Sequence, residues 1–206
     1  MKKKIVLLLF VALLSLYSYA QRSLARWQIQ PKIGLNIATL TNDDDAKIRP
    51  AFVGGVELDY LSGQNLVFSF GTLYSQQGCK SNNNGYDTTI KMDYINVPLM
   101  INYYVTDGLA LKAGIQPSFL IYDKVKVSAN GVSADVGIEE SLRAAGFDAK
   151  LKEIDLSIPI GISYVFSNIQ LDARFNLGIT KTFSGNGINS IKNSVFQFTL
   201  GYKFGL

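Results

Sequence analysis

The sequence predicts an all-β chain that forms an eight-stranded antiparallel up-and-down transmembrane β-barrel. Three observations predict it: strict apolar–polar alternation along long segments, an even number of such segments, and connections that alternate between short and long. Alternation with a period of two is typical of strands, because successive side chains point to opposite faces. Short turns at one rim and long loops at the other are the layout of barrels that cross an outer membrane.

Eight segments of the chain show the alternation. They span residues 27–38, 51–61, 65–76, 89–105, 109–122, 154–166, 169–179 and 196–206. The segment 154–166 is among the clearest, because its even positions are all apolar from Ile154 to Phe166, whereas its odd positions are mostly small or polar. A helix has a period of 3.6 residues and cannot produce this pattern.

The connections between these segments alternate in length. Residues 62–64, 106–108 and 167–168 are short turns, and residues 39–50, 77–88, 123–152 and 180–194 are long loops. The short turns therefore share one rim with both chain termini. In an outer-membrane barrel this arrangement predicts periplasmic termini and extracellular long loops.

A soluble lipocalin-like barrel, with its apolar face turned inward around a ligand, is the alternative, because alternation does not say which face points in. The polar face favours the membrane barrel: it carries Gln, Asn, Ser, Thr and Gly rather than the many Lys and Glu of a water-exposed surface. Aromatic residues of the apolar face also predict two interfacial girdles. Near the short turns these are Trp27, Tyr60, Tyr103, Tyr164, Phe166, Tyr202 and Phe204, and near the long loops Phe52, Tyr74, Phe119 and Phe196.

The N-terminal residues predict export. Residues 1–20 have the basic start, apolar run and small residues before the cut that are typical of a signal peptide, which leaves 21–206 as the barrel domain. The apolar run, Ile5 to Leu16, is shorter than the roughly 20 residues that a membrane-spanning helix needs. The sequence therefore indicates the outer membrane of a Gram-negative bacterium as the destination.

Composition argues against several classes of function. The 206 residues contain no histidine and one cysteine, Cys79, so histidine-dependent catalysis, cysteine-built metal sites and an internal disulfide are excluded. We expect no enzyme activity, catalytic residue, cofactor or metal. Without Lys2 to Lys4, 17 basic and 16 acidic residues remain, and this near balance does not indicate a nucleic-acid partner.

Several segments together resemble a known family, the PorT-like outer-membrane β-barrel proteins of Bacteroidota, also described as the porin family or outer membrane protein beta-barrel domain. They are PKIGLNIATL at 31–40, LYSQQGCK at 73–80, YINVPLMINYY at 94–104, LKAGIQPSFLI at 111–121, ARFNLGIT at 173–180 and GYKF at 201–204. The resemblance covers most of residues 21–206. It implies the barrel, its membrane, and recognition of the last strand by the barrel-insertion machinery.

The interior-facing positions combine bulky and charged side chains. The bulky ones are Tyr94, Met100, Tyr104, Leu120 and Tyr122, and the charged ones are Lys32, Glu57, Asp59, Lys112, Asp155, Asp172, Arg174 and Lys203. Because eight strands enclose a space that side chains just fill, we expect a plugged lumen. Four basic and four acidic residues indicate a neutralising network, with Lys32 beside Glu57 and with Lys203 beside Asp172 or Arg174. An ion or solute path is the alternative.

Prolines occur in three consecutive predicted strands. Pro98, Pro117 and Pro159 each lie seven or eight residues from the short-turn end of their strand. A proline in a closed barrel removes a hydrogen bond of the ladder, so the three residues form a candidate docking seam for a partner or a lipid. The alternative is a set of β-bulges that shape the barrel.

The long loops hold the remaining candidates for function. Asp43 to Asp45 form an acidic turn without EF-hand spacing, and residues 82–85 and 184–187 are turn sequences. In the third loop Ile138, Leu142 and Ala145 recur at helical spacing and predict a short amphipathic segment that caps the mouth.

Three classes of function remain open. The first is a structural or interaction barrel, the second is a component of a protein-secretion apparatus, as the resemblance implies, and the third is a small-solute porin. The expected partners are outer-membrane lipid, the barrel-insertion machinery during assembly, and secretion-system or periplasmic proteins.

Overall fold

A computed structural model describes residues 26–41, 47–83, 86–129, 132–144, 149–185 and 191–206. The predicted signal peptide at 1–20 and the acidic turn at 43–45 lie outside the described residues. The elements, in chain order, are β1 (Trp27–Thr41), β2 (Arg49–Leu61), β3 (Leu66–Asn83), β4 (Tyr86–Asn96), β5 (Leu99–Tyr104), β6 (Leu109–Ala129), β7 (Val132–Val136), α1 (Ile138–Ala144), β8 (Ala149–Leu151), β9 (Ile154–Phe166), β10 (Ile169–Gly178), β11 (Phe183–Gly185), β12 (Lys192–Tyr202) and β13 (Phe204–Gly205).

The strands close into an antiparallel barrel of eight wall strands, as predicted. Each wall strand pairs with its neighbours in sequence, and β12 returns to pair with β1, where Lys32 lies opposite Gly201. Two wall strands are interrupted: β4 and β5 form one strand broken at Val97 and Pro98, and β12 and β13 form another broken at Lys203.

The two faces of the wall differ in polarity. On β1, Ile33 and Leu35 project outward and are exposed, whereas Lys32 and Asn36 project inward and are buried. The same alternation continues on β9, β10 and β12. An apolar exterior around a polar interior is the reverse of a soluble ligand-binding barrel and fits a wall solvated by lipid.

One predicted interior residue points the other way. The β4–β6 ladder shifts register between Asp93 and Tyr94, because β6 carries an extra residue, Ile121, at this point. A β-bulge of one residue reverses the faces of everything beyond it. Tyr122 was predicted in the lumen and is instead outward and 44% exposed. Tyr94 and Met100, below the bulge, are buried inside as expected.

A small cap covers the long-loop end of the barrel. The helix α1 packs its buried Ile138 into a hydrophobic cluster with residues of the wall, and β8 pairs with β11 beside it. The buried members of this cluster are Cys79, Met92, Tyr94, Val125, Ile138 and Phe183. Leu142 packs at its edge, as the helical spacing predicts, while Ala145 lies outside the described residues. In the described part of the chain no helix is long and apolar enough to span a bilayer.

Candidate functional site

Eight charged side chains project into the barrel from six places in the wall. Lys32 lies on β1, Glu57 and Asp59 on β2, Lys112 on β6, Asp155 on β9, Asp172 and Arg174 on β10, and Lys203 between β12 and β13. All eight residues are buried. A charge in such a position is stable only when a partner of opposite sign or several hydrogen bonds compensate its lost hydration.

Five of these residues form one connected group, which we name the charge cluster: Lys32, Glu57, Lys112, Asp172 and Arg174. Glu57 is its centre, because Oε2 lies 2.6 Å from Lys32 Nζ and Oε1 lies 2.8 Å from Arg174 Nη2. Asp172 is the second carboxylate: it lies 3.3 Å from Arg174 Nε and also contacts Lys112 Nζ. The cluster therefore connects β1, β2, β6 and β10 across the lumen.

Lys203 forms a separate pair nearer the short turns. Its Nζ lies 2.7 Å from Asp59 Oδ2 and donates to the Tyr104 hydroxyl at 3.1 Å. The predicted contact of Lys203 with Asp172 or Arg174 is wrong. The reason is register: the β10–β12 ladder ends at Ile169 opposite Tyr202, so Lys203 lies beyond β10, next to the turn.

Asp155 lies apart from the other seven charges, just beneath the cap. Its carboxylate accepts hydrogen bonds from Asn193 Nδ2 (2.8 Å), the Leu156 amide (2.8 Å) and the Thr180 hydroxyl. No salt bridge to Asp155 forms among the described residues. Hydrogen bonds alone thus compensate this buried carboxylate.

Glycines stand opposite the charged side chains on neighbouring strands. Gly161 of β9 lies opposite both Lys112 and Arg174, and Gly55 and Gly201 lie on either side of Lys32. A Cβ at Gly161 would lie 2.7 Å from Arg174 Cβ and 2.4 Å from the Ala173 carbonyl oxygen. These glycines provide the space into which the long charged side chains fold. The sequence analysis did not predict this role. The signal that could have indicated it is that these glycines alternate in step with the interior-facing residues of their strands.

Amide and hydroxyl side chains occupy the rest of the interior. Gln30, Asn36, Gln116 and Gln197 are all buried, and Asn36 Nδ2 donates to Ser75 Oγ at 2.9 Å. Among the residues that the structure describes, no group of three or more His, Cys, Asp or Glu side chains is arranged to hold a metal ion.

The three seam prolines interrupt the wall where they lie. Pro98 falls in the gap between β4 and β5, and Val97 next to it donates its amide to the Pro117 carbonyl oxygen at 2.8 Å. Pro159 faces the stretch of β6 at residues 114–115, over which the β6–β9 ladder does not form. The seam is therefore a patch of weakened hydrogen bonding across three adjacent wall strands, β4–β5, β6 and β9.

A closed antiparallel wall with an apolar exterior and a buried, charged interior is the architecture of an outer-membrane β-barrel protein. The chain belongs to the outer membrane protein beta-barrel domain family, whose sequence profile matches residues 19–184. No curated protein sequence matches the chain.

Several solved outer-membrane barrels align with most of this chain at low sequence identity. The attachment invasion locus protein Ail of Yersinia pestis is 13% identical, with 86% of this chain and 98% of that chain covered and a TM-score of 0.49. Neisserial surface protein A is 15% identical, with 87% and 98% covered and a TM-score of 0.49. OprG of Pseudomonas aeruginosa is 13% identical, with 88% and 97% covered and a TM-score of 0.43.

Proposed function

We propose that this protein is a structural or interaction barrel whose lumen is closed to solutes. The observation that carries the proposal is the charge cluster, which links β1, β2, β6 and β10 by direct ion pairs across the interior. A passage for ions or solutes requires water between opposite walls, whereas here side chains from opposite walls are in contact. The cap over the long-loop end supports the same conclusion.

The proposal includes the route and orientation of the chain. Residues 1–20 act as a signal peptide, the insertion machinery recognises the last strand, the termini face the periplasm and the long loops face outward. The resemblance to PorT-like barrels supports a source among the Bacteroidota. We assign no enzymatic step, because Glu57, Asp59 and Asp172 are held in ion pairs and the Asp155 carboxylate is held by three hydrogen bonds. We assign no nucleic-acid partner, because basic and acidic residues are nearly balanced without Lys2 to Lys4.

Conductance in a planar lipid bilayer tests the closed lumen. We expect no discrete current steps from the refolded protein, because the ion pairs of the charge cluster obstruct the lumen. Current steps whose ion selectivity changes in Arg174→Gln would contradict the proposal and support a small-solute porin instead. A heat-dependent change in electrophoretic mobility is the control that the tested protein is a folded barrel.

The docking seam gives the interaction role a location. Proline has no amide hydrogen, so a carbonyl opposite each of these residues lacks its ladder donor within the apolar wall, where unpaired backbone groups are costly. Outward side chains beside the seam are well exposed: Leu99 by 45%, Ile115 by 51% and Ile160 by 56%. We propose that a partner protein of the envelope covers this patch.

Site-specific photocrosslinking in native membranes tests the seam. Crosslinkers at Leu99, Ile115 and Ile160 should capture a partner protein more often than one at Phe196, because only the first three adjoin the weakened ladder. Phe196 is the matched control, since it lies in the same row of the wall as Ile160 and is 52% exposed. Equal capture at all four positions, or capture of lipid alone, would refute a protein-docking seam.

A PorT-like component of a protein-secretion apparatus is the second candidate function, favoured by the resemblance and by the seam. Affinity purification of the tagged protein from native outer membranes distinguishes this candidate from a stand-alone structural barrel. Reproducible recovery of secretion or periplasmic proteins, together with loss of secreted proteins in a deletion strain, would support this candidate. Recovery of the barrel alone would leave the stand-alone structural role.

A further inference from the structure

A group of lysines lies at the long-loop rim of the barrel, on consecutive strands of one side of the wall. Lys47 precedes β2, Lys80 lies on β3, Lys91 on β4, and Lys124 and Lys126 on β6; we name these five residues the lysine rim. Lys47 lies directly opposite Lys80, and Lys91 lies directly opposite Lys124. Two like-charged pairs at direct cross-strand positions are unfavourable unless an anion compensates them.

The lysine rim points away from the barrel interior. Cys79, Ile90, Met92 and Val125 belong to the hydrophobic cluster beneath the cap. Each lysine of β3, β4 and β6 is the chain neighbour of one of these four residues, and adjacent side chains of a strand point to opposite faces. The four lysines therefore project from the outer face of the wall. Lys47 and Lys80 are exposed and the others are half-buried.

The described carboxylates on this face do not neutralise it. Asp135 Oδ1 lies 3.8 Å from Lys91 Nζ in a partly exposed pair. Asp93 accepts a hydrogen bond from the Tyr74 hydroxyl at 2.6 Å and makes no salt bridge among the described residues. Among the residues whose side chains the structure describes, five ammonium groups against two carboxylates leave the outer face of this rim positive.

The height of the lysine rim is that of lipid headgroups. Tyr122, exposed on the outer face, precedes Lys124 by two residues, and Tyr74 and Phe119 lie lower on the same wall. Aromatic residues of this kind mark the interface between hydrocarbon and headgroups. Two residues of a strand span about 7 Å, so Lys124 and the opposite Lys91 reach the layer in which headgroup phosphates lie. Lys126 and Lys80 lie two residues further toward the long-loop end.

We propose that the lysine rim binds the phosphate groups of anionic lipid in the leaflet at the long-loop end of the barrel. Lysine is a flexible point charge that suits phosphate, and neighbouring ammonium groups on β3, β4 and β6 can share one headgroup. The lipid phosphate supplies the negative charge that the Lys47–Lys80 pair lacks among the described residues, and it adds to the single carboxylate, Asp135, beside the Lys91–Lys124 pair. The inference rests on the membrane location of the family and is independent of the closed lumen.

Native mass spectrometry of the full barrel released from detergent micelles tests the inference, with bisphosphorylated lipid A as the probe. The test variant is Lys80→Gln/Lys91→Gln/Lys124→Gln. The matched control is Lys150→Gln/Lys152→Gln/Lys181→Gln, which removes three exposed lysines of the cap and its neighbourhood outside the rim. A lysine near a lipid surface contributes about fivefold to affinity, so the test variant should lose at least about tenfold in retained lipid.

The other outcomes each decide against the proposal. Equal loss in the two triple variants would show a general charge effect. Undiminished retention of dephosphorylated lipid A would show that acyl chains, rather than phosphate, hold the lipid. Displacement of the lipid by millimolar inorganic phosphate would indicate a site for a free anion. Heat-modifiable mobility of every variant confirms that the barrel is folded, so a loss of lipid is not a loss of structure.

Discussion

Replacement of Glu57 by glutamine is expected to lower the free energy of unfolding by about 3–5 kcal/mol, the range for breaking one side of a buried ion pair. Glu57 is fully buried and receives both Lys32 at 2.6 Å and Arg174 at 2.8 Å. The neutral amide removes the charge that compensates two cations, while the shape of the side chain changes little. Urea unfolding of the barrel in lipid vesicles, followed by Trp27 fluorescence and by electrophoretic mobility, measures the loss.

Glu139→Gln is the matched control for this substitution. Glu139 forms a salt bridge with Arg143 on α1 at 3.9 Å, with side chains that are 41% and 68% exposed. Its Oε1 also accepts the Leu151 amide at 3.2 Å, and the glutamine retains an oxygen that can accept this bond. An exposed pair of this kind contributes less than about 1 kcal/mol. If Glu57→Gln unfolds at the same urea concentration as Glu139→Gln, the charge cluster does not hold the wall strands together.

Gly161→Ala is expected to destabilise the barrel by about 2–3 kcal/mol, which is a large effect for a single added methyl group. The new Cβ would meet the Ala173 carbonyl oxygen at 2.4 Å and Arg174 Cβ at 2.7 Å. Both are parts of the neighbouring strand, so relief of the clash requires a shift of β10. That shift displaces Arg174 from Glu57, and refolding yield in vesicles should fall together with stability.

Gly63→Ala provides the comparison, because no atom lies within 4 Å of the position that its Cβ would occupy. Gly63 belongs to the short turn between β2 and β3, and its replacement should leave the unfolding midpoint nearly unchanged. Equal stability of the two variants would mean that the interior tolerates a methyl group beside Arg174, and that the glycines opposite the charges are not needed for space.

Much of the wall could be predicted from the sequence, because the wall separates two different environments, lipid outside and a polar interior. A side chain of a barrel strand faces either lipid or the interior, so each strand carries a clear binary pattern, and eight strands were recognisable from it. Inward placement of the eight charged residues followed from the same parity. The pattern indicates whether each residue faces lipid or the interior. It does not indicate directly how high along the barrel axis the residue lies.

Height is the reason that one ion pair was predicted wrongly, and a bulge is the reason that one side chain was. Lys203 and Arg174 share a face, but the β10–β12 register places Lys203 beyond the end of β10, within reach of Asp59. Tyr122 has interior parity, but the extra residue Ile121 in β6 reverses the faces above it. A bulge of one residue has no distinct composition here, because Ile121 and Tyr122 both fit an apolar strand.

Contacts between distant loops were also beyond sequence reasoning. The helical spacing of Ile138 and Leu142 predicted an amphipathic segment over the mouth, and α1 packs there. The pairing of β8 with β11 was not anticipated, because each strand is only three residues long and the two belong to different loops. Such short strands have no periodic pattern, and their pairing depends on the barrel that brings them together.

Pairing of β1 with β12 constrains the order in which the wall can be completed. The two partners lie near opposite ends of the described chain, so their ladder is the least local of the whole sheet and the last that synthesis makes available. Before it forms, β1 and β12 each present a bare edge of backbone donors and acceptors, which neither lipid nor a neighbouring hairpin satisfies. The open sheet is thus the vulnerable stage of this chain, when a foreign strand can compete with β12 for the same edge and slow ring closure favours mispairing.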